Sequence, residues 1–139
     1  MKKELRNAFG KISLATEFDE ANGWVYNNWQ GYQTRESVMA GANLCLQVLA
    51  PTRCRFLLND NTLVTGPWDH AVDWIAVDWT PRAIAGGLTH FAHIVSPESF
   101  AALSGEMMHS RIGDHFQMRI FGNIGAAQQW LREAQAVVG

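Results

Sequence analysis

An open α/β domain built on a mixed sheet is what this chain predicts, on three observations. Residues 11–32 alternate apolar and polar side chains on either side of Asn22-Gly23. That is a strong hairpin signal, because Asn-Gly accepts the positive φ of the tightest turns. Three strand-then-helix units follow, over 54–80, 89–110 and 115–137. Finally, the strands Phe91-Ala92-His93-Ile94-Val95 and Met118-Arg119-Ile120-Phe121 are apolar on both faces or nearly so, as central parallel strands are. Helical stretches between such strands imply right-handed crossovers and parallel pairing. The expected order is β-β-α-β-α-β-α-β-α.

Taken in turn, Ile12, Leu14, Thr16 and Phe18 form the first arm of the hairpin and Trp24 to Tyr32 the second. Thr34 is placed to cap a helix running to about Leu49, with Val38, Ala42, Cys45, Val48 and Leu49 on its inner face and Pro51 as its stop. A strand over 54–59 then opens into a polar loop, 60–66. Pro67 starts a second helix, 67–80, with Trp68, Val72, Ile75, Ala76 and Trp79 inward and Pro81 ending it. Pro97 begins a third helix, to residue 110, whose inner stripe reads Phe100, Leu103, Met107 and Met108. Ser96-Pro97-Glu98 is an ordinary N-cap with an acid in the first turn. Asn123 caps the last helix, with Ala127, Trp130, Leu131, Ala134 and Val138 inward.

Composition points to one globular domain, 1–139, with its core over about 11–135. Hydrophobic residues make up 47% of the 139 and charged ones only 17%, which is the reverse of a disordered chain. Net charge is −2 with no Lys/Arg cluster, so no nucleic-acid footprint is expected. No apolar stretch is long enough to span a membrane or serve as a signal peptide, so a cytoplasmic location is expected. The two cysteines, Cys45 and Cys54, read as small buried hydrophobes rather than a disulfide pair.

Several segments together are similar to the STAS-type domains, relatives of the bacterial anti-sigma-factor antagonists known as the SpoIIAA-like family. They are Trp29-Gln30-Gly31, Leu57-Leu58-Asn59-Asp60-Asn61, Gly66-x-Trp68 with Trp74 behind it, and Phe121 followed by Ala126-Ala127-x-x-Trp130-Leu131. The similarity spans about residues 11–135. It implies an open mixed sheet, an N-terminal antiparallel hairpin then three βα units, coiled with its helices as a β/α superhelix. It also implies a non-enzymatic regulatory or protein-interaction module. Antagonist STAS domains are switched by phosphorylation of a serine, preceded by aspartate, at the start of the helix after this strand. Thr65 is the matching hydroxyl here, but Val64 replaces the acid and Pro67 follows closely, so the motif itself is absent.

In open α/β sheets, ligands and partners dock at the carboxyl ends of strands. The expected binding rim is therefore Asn59, Asp60, Asn61, Thr62, Thr65, Gly66 and Trp68 with the parallel loops at Ser96 and Asn123. Asn and Asp also satisfy backbone groups at a plain strand-to-helix turn. Six tryptophans are many for this length, and Trp24, Trp29 and Trp74 are the candidates for an exposed interface, hence for a homodimer. His90 and His93 should point to opposite faces of a strand. No spacing of His, Cys, Asp or Glu suits a metal, and no nucleophile motif is present. No cofactor is expected, and Asp60 with the neighbouring amides is the one candidate for chemistry. The alternative reading is a small-molecule or lipid-binding module, which requires an apolar cavity between sheet and helices.

Overall fold

A computed structural model describes residues 1–97 and 99–138, with the side chain of Val138 outside that description. Six strands form one mixed sheet whose spatial order follows the chain. They are β1 (Lys2–Arg6), β2 (Ile12–Asp19), β3 (Trp24–Tyr32), β4 (Phe56–Thr65), β5 (His90–Ile94) and β6 (Gln117–Phe121). β1, β2 and β3 pair antiparallel, while β3 through β6 pair parallel. The hairpin is as expected, and Asn22-Gly23 turns it with Gly23 at φ 74°. β1 is an addition. Its alternation is carried by charged residues, so no hydrophobic period marks it as a strand.

The register runs rows of side chains across the sheet. Thr16, Asn27, Asn59, His93 and Ile120 share one row, and Phe18, Val25, Leu57, Phe91 and Met118 the row beside it. That face lies under α1 (Arg35–Thr52), α2 (Val72–Trp74), α3 (Thr80–Ala85) and α4 (Phe100–Ile112). The opposite face carries Trp24, Tyr26, Leu58, Asp60 and His90 and is covered in part by α5 (Ile124–Val138). There Trp130 meets His90 and Phe121 at 5.4 and 5.7 Å between ring centroids, and the Arg132 guanidinium stands 5.4 Å over Trp24.

The helix caps follow the sequence at two points. Thr34 accepts from the Ser37 amide at 3.0 Å, and Asn123 Oδ1 accepts from the Ala126 amide at 2.9 Å. All five expected inner residues of α1 are buried. Elsewhere the structure corrects the expectation. α1 runs through Pro51 to Thr52, and Arg53 closes it at φ 53°. The second helix also continues past its proline. It winds from a 3₁₀ turn (Asp69–Ala71) through α2 and a π turn (Ile75–Trp79) into α3, with Thr80 Oγ1 donating to the Ile75 carbonyl at 2.9 Å. Widening the turn ahead of Pro81 leaves its absent N–H without a carbonyl to disappoint.

The third helix starts later, and of its expected inner stripe only Met108 is buried. Ser99, not Ser96, caps it, accepting from the Ala102 amide at 3.1 Å, and Glu98 lies outside the described residues. Its buried residues are Ala101, Ser104, Gly105, Met108 and Ile112, while Phe100, Leu103 and Met107 are exposed. The reason is close approach. A Cβ on Gly105 would stand 2.9 Å from His93 Cδ2 and Nε2, and Ser104 Oγ takes the Trp68 amide at 2.9 Å. Small residues set this contact, so the bulky ones turn outward.

β4 differs most from expectation. Residues 60–65 are strand, not loop. A bulge between Asn28 and Gln30 places Asn61 and Thr62 opposite Trp29, and Asp60 Oδ1 accepts the Thr62 amide at 2.9 Å, holding the donor that a bulge takes out of the ladder. Asn and Asp are poor strand formers, but tertiary hydrogen bonds override that preference here. Among the described residues no helix is long and apolar enough to cross a membrane.

Candidate functional site

Strand alternation divides the expected rim. Asn59 and Asn61 turn under α1, where they are buried, and Trp68 is buried with them. Asp60 points to the other face and accepts from Tyr26 Oη at 2.8 Å. That contact and burial push the Tyr26 phenol above its ordinary range, burial contributing most. Thr62 and Thr65 are exposed at the end of β4, Gly66 turns the chain at φ 77°, and Asn123 is exposed. Ser96 Oγ reaches the Thr62 carbonyl only at 3.5 Å. Trp24 and Trp29 are 1% and 7% exposed, so neither offers an outer surface. Trp74 is half-buried with Arg82 at 5.8 Å over its ring.

Inside, the inward residues assemble a polar network in an otherwise apolar layer. Trp29 Nε1 donates to Asn59 Oδ1 at 2.8 Å, and Asn27 Nδ2 reaches the same oxygen at 3.1 Å. The remaining Asn59 atom, Nδ2, faces His93 Nδ1 at 3.0 Å. An indole N–H can only donate, so the Asn59 atom facing it is the oxygen. Hence Asn59 Nδ2 donates, His93 Nδ1 accepts, and the imidazole is neutral with its proton on Nε2. The same logic orients Asn27. Its amide nitrogen gives to Asn59 and, at 3.2 Å, to Cys45 Sγ, leaving Oδ1 as a buried acceptor. Among the described residues Thr16 Oγ1, Asn27 Oδ1, Trp68 Nε1 and His93 Nε2 have no partner.

A pocket opens beside this network. Asn27, Trp29, Asn59 and Leu57 form its sheet wall, Val38, Ala42 and Cys45 its α1 wall, and Trp68, Ile75, Trp79 and Met108 the side opposite. Gln33, Asn61 and Val64 line it toward the carboxyl ends of β3 and β4. The pocket is partly open at one side, and its cavity volume is about 50 Å³. That is room for several waters or a molecule about the size of one aromatic ring. Among the described residues, none that lines it carries a charge. Most of the pocket residues were visible in the sequence only as separate core and rim candidates, and Asn27 and Gln33 as neither. The one signal that could have joined them is the i, i+2 spacing of Asn27-Trp29 and Asn59-Asn61, polar side chains repeating on a single strand face.

The ionisable groups here are held neutral. Burial pushes the Cys45 thiol up to about 12. Burial likewise lowers His93 from its ordinary 6.5 to about 4, outweighing the pull of Asp60. A histidine depressed in the fold stabilises it fully above the unfolded value near 6.5, and that contribution is lost as pH falls toward 4. Between pH 6.5 and 5 the loss should be about 2 kcal/mol, at about 1.4 kcal/mol per unit. Denaturant titrations at pH 7 and 5 check this against His93→Asn, which keeps an acceptor for Asn59. The variant should lose about 2 kcal/mol less than the parent over that interval, and equal losses would refute the assignment.

Among the described residues no group of three His, Cys, Asp or Glu is placed to hold a metal ion. No model of a known protein family matches this chain, and no curated protein matches it.

Proposed function

We propose that this chain is a non-enzymatic binding module of STAS-like type that takes a small molecule into the pocket between β3, β4, α1 and α2. The observation that carries the reading is a pocket with aromatic walls and unpartnered buried polar atoms beside it. Buried polar groups without partners cost about 1–3 kcal/mol each, and a ligand that satisfies them recovers that energy on binding. The sequential order of β3 to β6, with α1 to α4 returning on one face, supports the superhelical coil of STAS-type domains. The binding point is interior, because Asn59, Asn61 and Trp68 face inward.

The groups available favour a binding role over a catalytic one. The Cys45 thiol stays protonated at neutral pH and is a poor nucleophile in that form. His93 Nε2 abuts Gly105 and is turned away from the pocket by the Asn59 bond. Thr65 is exposed at the strand end, ahead of a helical segment that begins with a single 3₁₀ turn.

A thermal-shift screen of small fragments tests the reading, with Val64→Phe filling the pocket from its strand side. A hit present at a hundred times its Kd adds about 2.7 kcal/mol, which for a chain of this size raises Tm by about 8 °C. Val64→Phe should abolish the shift while remaining folded. Hits that stabilise parent and variant equally, or no hit from the library, would overturn the proposal.

A further inference from the structure

Resting on the pocket reading above, we infer that the occupant is a small, neutral, planar ring that carries one hydrogen-bond acceptor and one donor. The acceptor answers Trp68 Nε1 and the donor answers Asn27 Oδ1. Three observations carry this. First, both atoms are buried without partners, and their residues, 4% and 2% exposed, line the same pocket. Second, their polarities are forced. An indole N–H only donates, and the Trp29–Asn59–Asn27 chain leaves Asn27 only an oxygen to offer. Third, the walls include Trp29, Trp68, Trp79 and Phe91 but no charged side chain among the described residues.

Those walls select shape and charge together. Aromatic faces favour a flat ring, by stacked or edge-on contact. A carboxylate or ammonium would be stripped of water with no counter-charge to meet it, which is the costliest way to bury a group. An alkane or plain arene fits the walls but leaves Asn27 and Trp68 unsatisfied, so it binds more weakly than a ring that meets both. The volume accommodates one ring with a small substituent, not a long acyl chain.

The experiment uses the full chain and four probes: benzamide, toluene, benzoate and benzylamine. Affinities are read by NMR titration, following the indole N–H resonance of Trp68. Benzamide should bind about tenfold more tightly than toluene and move the Trp68 indole proton downfield, whereas toluene should leave that proton without a new hydrogen bond. Benzoate and benzylamine should bind at least tenfold more weakly than benzamide. Trp68→Phe removes the N–H while keeping a ring, so it should cost benzamide about tenfold and toluene almost nothing. Should that variant misfold, the Trp68 shift in the parent still decides the matter. Equal binding of benzamide and toluene, with no indole shift, would overturn the inference and leave the pocket reading standing. Failure of all four probes, the orphan groups being served by water alone, would overturn both.

Discussion

Asn59→Leu is expected to destabilise this protein by about 4 kcal/mol. Leucine fills a similar volume, so the loss is almost wholly polar. Trp29 Nε1–H and His93 Nδ1 would each lose their partner inside a buried layer, at about 1–3 kcal/mol apiece. Asn27 would keep only its contact to the Cys45 sulfur, a weak acceptor. Urea unfolding should show the lower midpoint with an unchanged slope, and Tm should fall by about 12 °C. A loss under about 1 kcal/mol would mean the network is not the buried, mutually dependent unit its geometry describes. The effect should also exceed that of Asn61→Leu, because no protein partner hangs on the Asn61 side chain among the described bonds.

Gly41→Ala should cost about 2 kcal/mol, although alanine is the better helix former. In a helix interior that replacement normally gains up to about 1 kcal/mol. Here the new Cβ would stand 2.5 Å from Trp29 Cη2, 2.6 Å from Cζ3 and 3.1 Å from Leu14 Cδ2. A ring edge cannot bend away as a flexible chain end can, and this ring is tethered at Nε1 to Asn59. Overpacking at such a point costs about 1–3 kcal/mol, so the clash outweighs the propensity. Displacing the indole would also disturb the pocket wall, so near-ultraviolet circular dichroism should change along with stability. A variant as stable as the parent, with an unchanged aromatic spectrum, would show that α1 moves off the sheet at little cost.

Much of the architecture is legible in the residues themselves. The hairpin rests on local chemistry, alternation around Asn22-Gly23. So do the caps at Thr34 and Asn123 and the inner stripe of α1, because each depends on neighbours within one or two turns. Three parallel strands follow from helical stretches placed between apolar runs. A chain with these signals has few ways to bury its apolar faces other than one α/β domain.

What tertiary structure alone decided is where the polar residues of β4 point and which side of α4 is buried. Asn59, Asp60 and Asn61 have the composition of a loop, and pairing with β3 and β5 holds them as strand, with side-chain bonds from Asn59 and Asp60 to Asn27, Trp29, His93 and Tyr26. Those bonds turn Asn59 inward and Asp60 outward, converting an expected outer rim into the wall of an interior pocket. Likewise Phe100, Leu103 and Met107 form a sound helical stripe by periodicity. Yet Gly105 and Ser104 are the residues small enough to let α4 close on His93 and Trp68. Periodicity reports which side chains share a face. Close approach between elements chooses the face, and that choice depends on shapes the sequence brings together only once folded.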